Sequence, residues 1–192
     1  MLNTVDLARL TDTLGYHRYW VPEHHGMRGV ASSAPAVLIA HLANNTHNLR
    51  LGSGAVLLPN HPPVVIAEQF ATLTALHPNR IDLGIGRAPG GPKSAVEAVR
   101  PEESRTATPF HTQLQELQNH LHHPETKAIP ARGDNPPPIW LLGSSTTSAA
   151  LAATLGLPYA YAHHLNPPAA AEALHHYRAT FNPTPKPQPP PP

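Results

Sequence analysis

The strongest constraint in this sequence is an alternation of two periodicities. Short apolar, β-branched runs recur between longer stretches of helical spacing, and glycine or proline stands at nearly every junction. Residues 5–14 place Val5, Leu7, Ala8, Leu10 and Leu14 mostly on one helical face, with Gly15 in the position of a C-terminal cap. Residues 19–21 (YWV) read as a buried strand cut by Pro22. The pattern predicts a helix over 34–43, a strand over 49–58 interrupted by glycines, and a helix over 61–76 with Pro62 and Pro63 at its start, where proline is tolerated. A third strand over 81–85 leads into the loop GRAPGGPKSA, and a polar helix follows at about 104–121. A His- and Pro-rich connection precedes a strand over 139–142. A helix over 145–155, a strand over 159–162 and an alanine-rich helix over 168–181 complete the series.

Strands that alternate with helices of this length build βαβ units, hence an α/β fold with a parallel sheet. A doubly wound sheet needs about five strands, whereas a (β/α)8 barrel needs eight and commonly about 250 residues, so 192 residues favour the first on length alone. Proline is abundant, 25 residues, but seven of these fall in residues 183–192, which read as a disordered polyproline tail. Residues 1–182 remain as one folded domain. The net charge of +1 lacks the basic excess that nucleic-acid binding needs, and the absence of cysteine excludes disulfides and thiolate chemistry. No apolar run is long enough for a membrane span and the N-terminus lacks the order of a signal peptide, so a cytoplasmic protein is expected.

In either architecture the ligand site lies beyond the C-terminal strand ends. After the first strand stand Glu23, His24 and His25, one carboxylate and two imidazoles suited to proton transfer near neutral pH. After the third stands Gly86-Arg87-Ala88-Pro89-Gly90-Gly91, where small residues admit a ligand to the backbone and Arg87 offers a forked positive charge for phosphate. The run lacks the third glycine of a dinucleotide fingerprint. After residue 142, Gly143-Ser144-Ser145-Thr146-Thr147-Ser148 opens a helix whose amides and hydroxyls suit an anion, although ordinary helix capping uses the same residues. His120, His122 and His123 occupy a polar stretch followed by proline. No carboxylate is read beside them at a fixed helical spacing, so no metal site is expected.

Four stretches, LGYHRYWVPEHH, SSAPAVLIAHLA, LRLGSGAVLLPNHPPVVIAEQFATLTALHPNRIDLGIGRAPG and PPIWLLGSSTTSAALAATLGLPYAYAHH, together resemble the bacterial-luciferase-like flavin-dependent monooxygenases over residues 5 to about 181. The resemblance implies a TIM-barrel, (β/α)8, binding FMN or in some branches a deazaflavin coenzyme, and it displaces the doubly wound sheet. Measured against that barrel, residues 1–182 form a partial one that lacks the first strand and the last two. His24 resembles the family's catalytic histidine, with Glu23 and His25 beside it. Arg87 resembles the arginine that holds the flavin phosphate, and Ser144, Ser145 and Ser148 fall where that phosphate site is completed. Gly54-Ala55 matches a place where the family often has a cis peptide under the flavin ring. The implied reaction uses reduced FMN and dioxygen to oxygenate a small organic substrate, with an NAD(P)H-dependent flavin reductase and a homodimer as expected partners. The alternative is a non-catalytic remnant that binds flavin or a partner chain.

Overall fold

A computed structural model describes residues 1–122 and 135–183, which divide into two compact units, Met1–Pro138 and Ile139–Pro192. The residues of the expected tail from 184 onward, and His123, lie outside the described residues.

The first unit begins with helix α1 (Leu2–Thr13), strand β1 (Arg18–Val21) and helix α2 (Pro35–Ala43). Strands β2 (Arg50–Ser53) and β3 (Val56–Leu57) and a 3-10 turn (Leu58–Asn60) lead to helix α3 (Pro63–Leu76). Strand β4 (Ile81–Gly86) is followed by helices α4 (Lys93–Val99), α5 (Glu102–Thr106) and α6 (Phe110–His122). β2 lies parallel between β1 and β4, with Val21 opposite Ser53 and Gly52 opposite Asp82. β3 pairs parallel with the far half of β4, Val56 opposite Ile85. All strands of this unit therefore end on one side of the sheet.

Every residue of β4 is buried, and Leu51, Ile81, Leu83 and Ile85 of the strands are buried in the core, as are Ile39, Leu42, Ile66, Phe70, Leu114 and Leu117 of the helices. A continuous apolar strand is what a parallel sheet covered on both faces requires. Asp82 is the polar exception, completely buried at the N-terminal end of β4. It accepts from Arg18 Nε (2.9 Å), Trp20 Nε1 (3.2 Å), Arg50 Nε (3.0 Å) and Arg50 Nη2 (2.6 Å). One carboxylate thus joins the starts of all three long strands, at the end of the sheet opposite to the expected site.

Several expectations are corrected here. The single strand over 49–58 is two strands, because the chain turns at residues 54–55, leaves β1 and resumes its pairing farther along β4. Part of the expected glycine and proline loop is α4, and the polar helix over 104–121 is α5 and α6, divided before Pro109, since the residue preceding a proline disfavours helical backbone. Helix α1 buries Val5 and Ala8 but leaves Leu7, Leu10 and Leu14 exposed.

The second unit holds strand β5 (Ile139–Gly143), helix α7 (Thr146–Thr154), strand β6 (Tyr159–Tyr161) and helix α8 (Ala170–Thr180). β5 and β6 are parallel, with Leu141 opposite Tyr159. The two helices meet through alanines, among them Ala149, Ala152, Ala153 and Ala173, all buried. The structure is thus an α/β fold with parallel sheet pairing in both units. No described helix is long and apolar enough to cross a membrane.

Candidate active site

Beyond the end of β1 the chain places one of its most enclosed carboxylates. Glu23 is 1% exposed, yet it is saturated with donors. Its Oε1 accepts from His25 Nε2 (2.8 Å), His61 Nε2 (2.8 Å) and Asn60 Nδ2 (3.3 Å), and its Oε2 accepts from the Leu57 backbone N–H (2.9 Å). Burial by itself raises a carboxyl pKa. Here the hydrogen bonds and charge of His61, with the bonds from His25 and Leu57, outweigh it and hold Glu23 below its ordinary value. A carboxylate with this many committed donors is placed to fix its neighbours. His25 is committed to the same carboxylate through Nε2.

His24 differs from both. Its Nδ1 lies 3.2 Å from the Gly90 carbonyl, which can only accept, so Nδ1 carries the proton. Nε2 has no partner among the described residues. The same Gly90 carbonyl accepts the His25 backbone N–H (2.9 Å), which ties the segment after β1 to the loop after β4. Gly90 has φ +85°, and a Cβ there would run into Leu57 Cδ1 and the Glu23 carbonyl, so this contact depends on glycine.

Arg87 follows β4 directly, is exposed, and makes no hydrogen bond or ion pair with any described residue. The Gly54–Ala55 peptide is cis. The Gly54 N–H donates to the Val21 carbonyl (2.8 Å), which sets that peptide against the end of β1. Within the first unit, His24, Gly54–Ala55 and Arg87 therefore all sit at the C-terminal ends of parallel strands.

Ser144, Ser145 and Ser148 belong to the second unit. Ser145 caps α7: its Oγ accepts from the Ser148 N–H (3.3 Å), while Ser148 Oγ accepts from the Ser145 N–H (3.3 Å) and lies 2.8 Å from Tyr159 Oη. These hydroxyls perform the capping that the sequence also allows. The Ser144 carbonyl accepts from Tyr161 Oη (3.1 Å) and Asn166 Nδ2 (3.1 Å). A Cβ on Gly143 would strike Ser148, so the helix start approaches the end of β5 at a place only glycine permits.

Sequence reasoning misses Asn60 and His61: Asn60 draws no notice, and His61 reads only as the first residue of the helix over 61–76, which begins instead at Pro63. The available signal is their place, a polar pair after an apolar strand and before a proline-initiated helix. The reading of His120 is corrected as well: Glu116 stands one turn before it, with Oε1 3.5 Å from Nε2. His120 is buried against the core side of α6. Among the described residues no group of three or more histidines and carboxylates is arranged to hold a metal.

Residues 2–188 match the family model for luciferase-like monooxygenases. A luciferase-like monooxygenase of Escherichia coli is 50% identical over 186 residues, which cover 95% of this chain and 55% of that protein. The N-acetyl-S-alkylcysteine monooxygenase of Bacillus subtilis is 40% identical over 187 residues, covering 94% and 55%. The crystal structure of apo-MsnO8 shares the fold with a TM-score of 0.89 at 44% identity, covering 95% of this chain and 56% of that one. The chain spans about half the length of the curated relatives it matches. Because the family model covers residues 2–188 and a relative 50% identical covers 95% of the chain, this chain belongs to the luciferase-like monooxygenase family.

Proposed function

We propose that this chain carries the flavin-facing part of an FMN-dependent monooxygenase that oxygenates a small organic substrate with dioxygen. The carrying observation is that His24 is held in one tautomer, and that among the described residues neither its Nε2 nor Arg87, in the same layer of strand ends, has a partner. β2 and β3 count as one position of a partial (β/α)8 barrel, whose first strand and last two are not among the described strands. Residues 1–182 then form one luciferase-like domain.

The residues present fit a flavin phosphate. Arg87 offers a guanidinium with no competing partner among the described residues, on a loop of small residues that lets a ligand approach the backbone. In the second unit, the amides that open α7 suit an anion as well, with the Ser145 and Ser148 hydroxyls ordering that helix start. When bound, reduced flavin supplies the electrons that activate dioxygen. The chain's own part is to anchor the phosphate, to present the Gly54–Ala55 backbone to the ring, and to exclude water. His24 Nε2 holds or moves the proton that the oxygen chemistry requires, oriented by Gly90. A cytoplasmic setting, a homodimer and supply of reduced flavin by an NAD(P)H-dependent reductase complete the reading; a deazaflavin in place of FMN is the runner-up.

An anaerobic titration of the 192-residue chain with reduced FMN tests this. Saturable binding that falls at least tenfold in Arg87→Ala, with the fold unchanged, is expected. Binding that ignores Arg87→Ala overturns the anchor, and binding without substrate-dependent oxygen uptake leaves a flavin-binding module in place of an enzyme.

A further inference from the structure

We infer that Glu23 and His61 form a positioning pair that fixes three strand-end segments to one another and thereby sets the geometry of the flavin site. This rests on the flavin reading above and extends it to residues that touch neither the expected phosphate nor the expected ring.

The donors to the buried Glu23 carboxylate come from separate strand ends. His25 lies beyond β1, the Leu57 N–H belongs to β3, and Asn60 and His61 lie at the end of the 3-10 turn. Asn60 Nδ2 also reaches the Pro89 carbonyl (3.4 Å), so the loop after β4, which carries Arg87, joins the same network. The His25 N–H binds that loop again through Gly90. His61 is itself held from behind, since Arg100 Nη1 donates to the His61 carbonyl (3.3 Å) and to the Pro59 carbonyl (3.1 Å).

Each first-unit segment that carries an expected flavin contact is therefore within two residues or one hydrogen bond of this network. His24 is the chain neighbour of Glu23, Ala55 lies two residues before the Leu57 N–H, and Arg87 lies two residues before Pro89. A buried carboxylate that loses a donor does not simply lose one bond. It retains an uncompensated charge and moves toward water or toward other donors, which displaces whatever it holds. Binding and orientation at a reacting centre are sensitive to displacements of about 1 Å. His61, 38 residues along the chain from Glu23, is thus a positioning residue for the site. Its side chain is 26% exposed, and with Pro35, Val56, Ile66 and Gln69 it lines a depression that reaches Glu23, so removing it admits water to the carboxylate.

The test compares the wild-type chain with His61→Leu, which removes the donor, and His61→Gln, whose amide N–H2 can still donate to Glu23. Two measurements are made on each. Hydrogen exchange of the ligand-free chain reads protection of the His25 and Leu57 amides. Titration with reduced FMN, followed by reoxidation, reads affinity and the visible circular dichroism of the bound flavin at saturation. The expected result is faster exchange at both amides in His61→Leu, about tenfold weaker FMN binding and an altered flavin spectrum, with His61→Gln restoring all three. A purely structural role would speed exchange yet leave the spectrum at saturation unchanged, and that outcome overturns the proposal. So does wild-type behaviour in His61→Leu, or failure of His61→Gln to restore a folded but perturbed chain. If His61→Leu does not fold, Glu23→Gln takes its place: about tenfold weaker FMN binding with an altered flavin spectrum at saturation supports the proposal, and wild-type affinity and spectrum overturn it. A wild-type chain that binds no reduced FMN overturns the flavin reading itself, and is recognised before any variant is compared.

Discussion

Replacing Asp82 by alanine separates what holds this sheet together from what the site does. Asp82 is completely buried and accepts four hydrogen bonds, three of them from arginines at the starts of β1 and β2. Removing one partner of a buried ion pair costs about 3–5 kcal/mol when the orphaned charge stays buried. Here the side chains of Arg18 and Arg50 are 35% and 21% exposed and can turn part of their charge to solvent, which lowers the expected loss to about 2–3 kcal/mol. For a chain of this length that corresponds to a fall in melting temperature of about 4–12 °C. Urea unfolding followed at Trp20, in a Trp140→Phe background, reads the loss in the first unit. Since Asp82 lies at the opposite end of the strands from His24 and Arg87, FMN affinity at a temperature where the variant is folded should stay within about twofold of wild type. A loss under about 1 kcal/mol would refute the ion-pair argument. An affinity loss as large as that of Arg87→Ala would refute the separation of the two ends.

Three further outcomes follow from single contacts. Glu23 has its carboxyl held below the ordinary value of 4.5, so its contribution to stability is present above that value and is lost as pH falls through the lower, folded one. Urea midpoints measured from about pH 7 to about pH 3 should therefore decline in wild type, and that decline should be shallower in Glu23→Gln. Gly90→Ala, at φ +85° and against Leu57 and the Glu23 carbonyl, should cost about 2–4 kcal/mol and weaken FMN binding through His24, read by unfolding and titration. Ser145→Ala removes the acceptor for the Ser148 N–H and should destabilise the second unit by about 1 kcal/mol, visible as faster amide exchange in the first turn of α7.

Elements with a strong local signal are legible in the amino-acid sequence. The apolar runs at 81–85 and 139–142 correspond to β4 and β5 almost residue for residue, and prolines at the start of α2 and α3 mark where those helices begin. The strand over 49–58 is misread because Gly54 and Ala55 look like a tolerated interruption, while the point at which the chain leaves β1 and continues beside β4 alone is set in space. Helix α4 is hidden by the glycines and prolines before it, and the break before Pro109 by an otherwise continuous polar pattern. Of the site, Glu23, His24, His25 and Arg87 stand out because chemistry-bearing side chains follow buried strands. Their division of labour does not.

Near neighbours in the chain are enough to set the alternation of strands and helices, the parallel sheet that this implies, and the end of the strands at which polar residues collect. Those properties depend on hydrophobic period, proline and glycine, all of which are local. That Glu23 is a committed, buried anchor while His24 Nε2 has no partner among the described residues is instead a property of the folded chain. The donors and acceptor that settle the matter, Leu57, Asn60, His61 and Gly90, come from 34 to 66 residues away. A side chain's protonation and freedom are set by burial and by the partners that fill its lone pairs, and no local pattern carries that information.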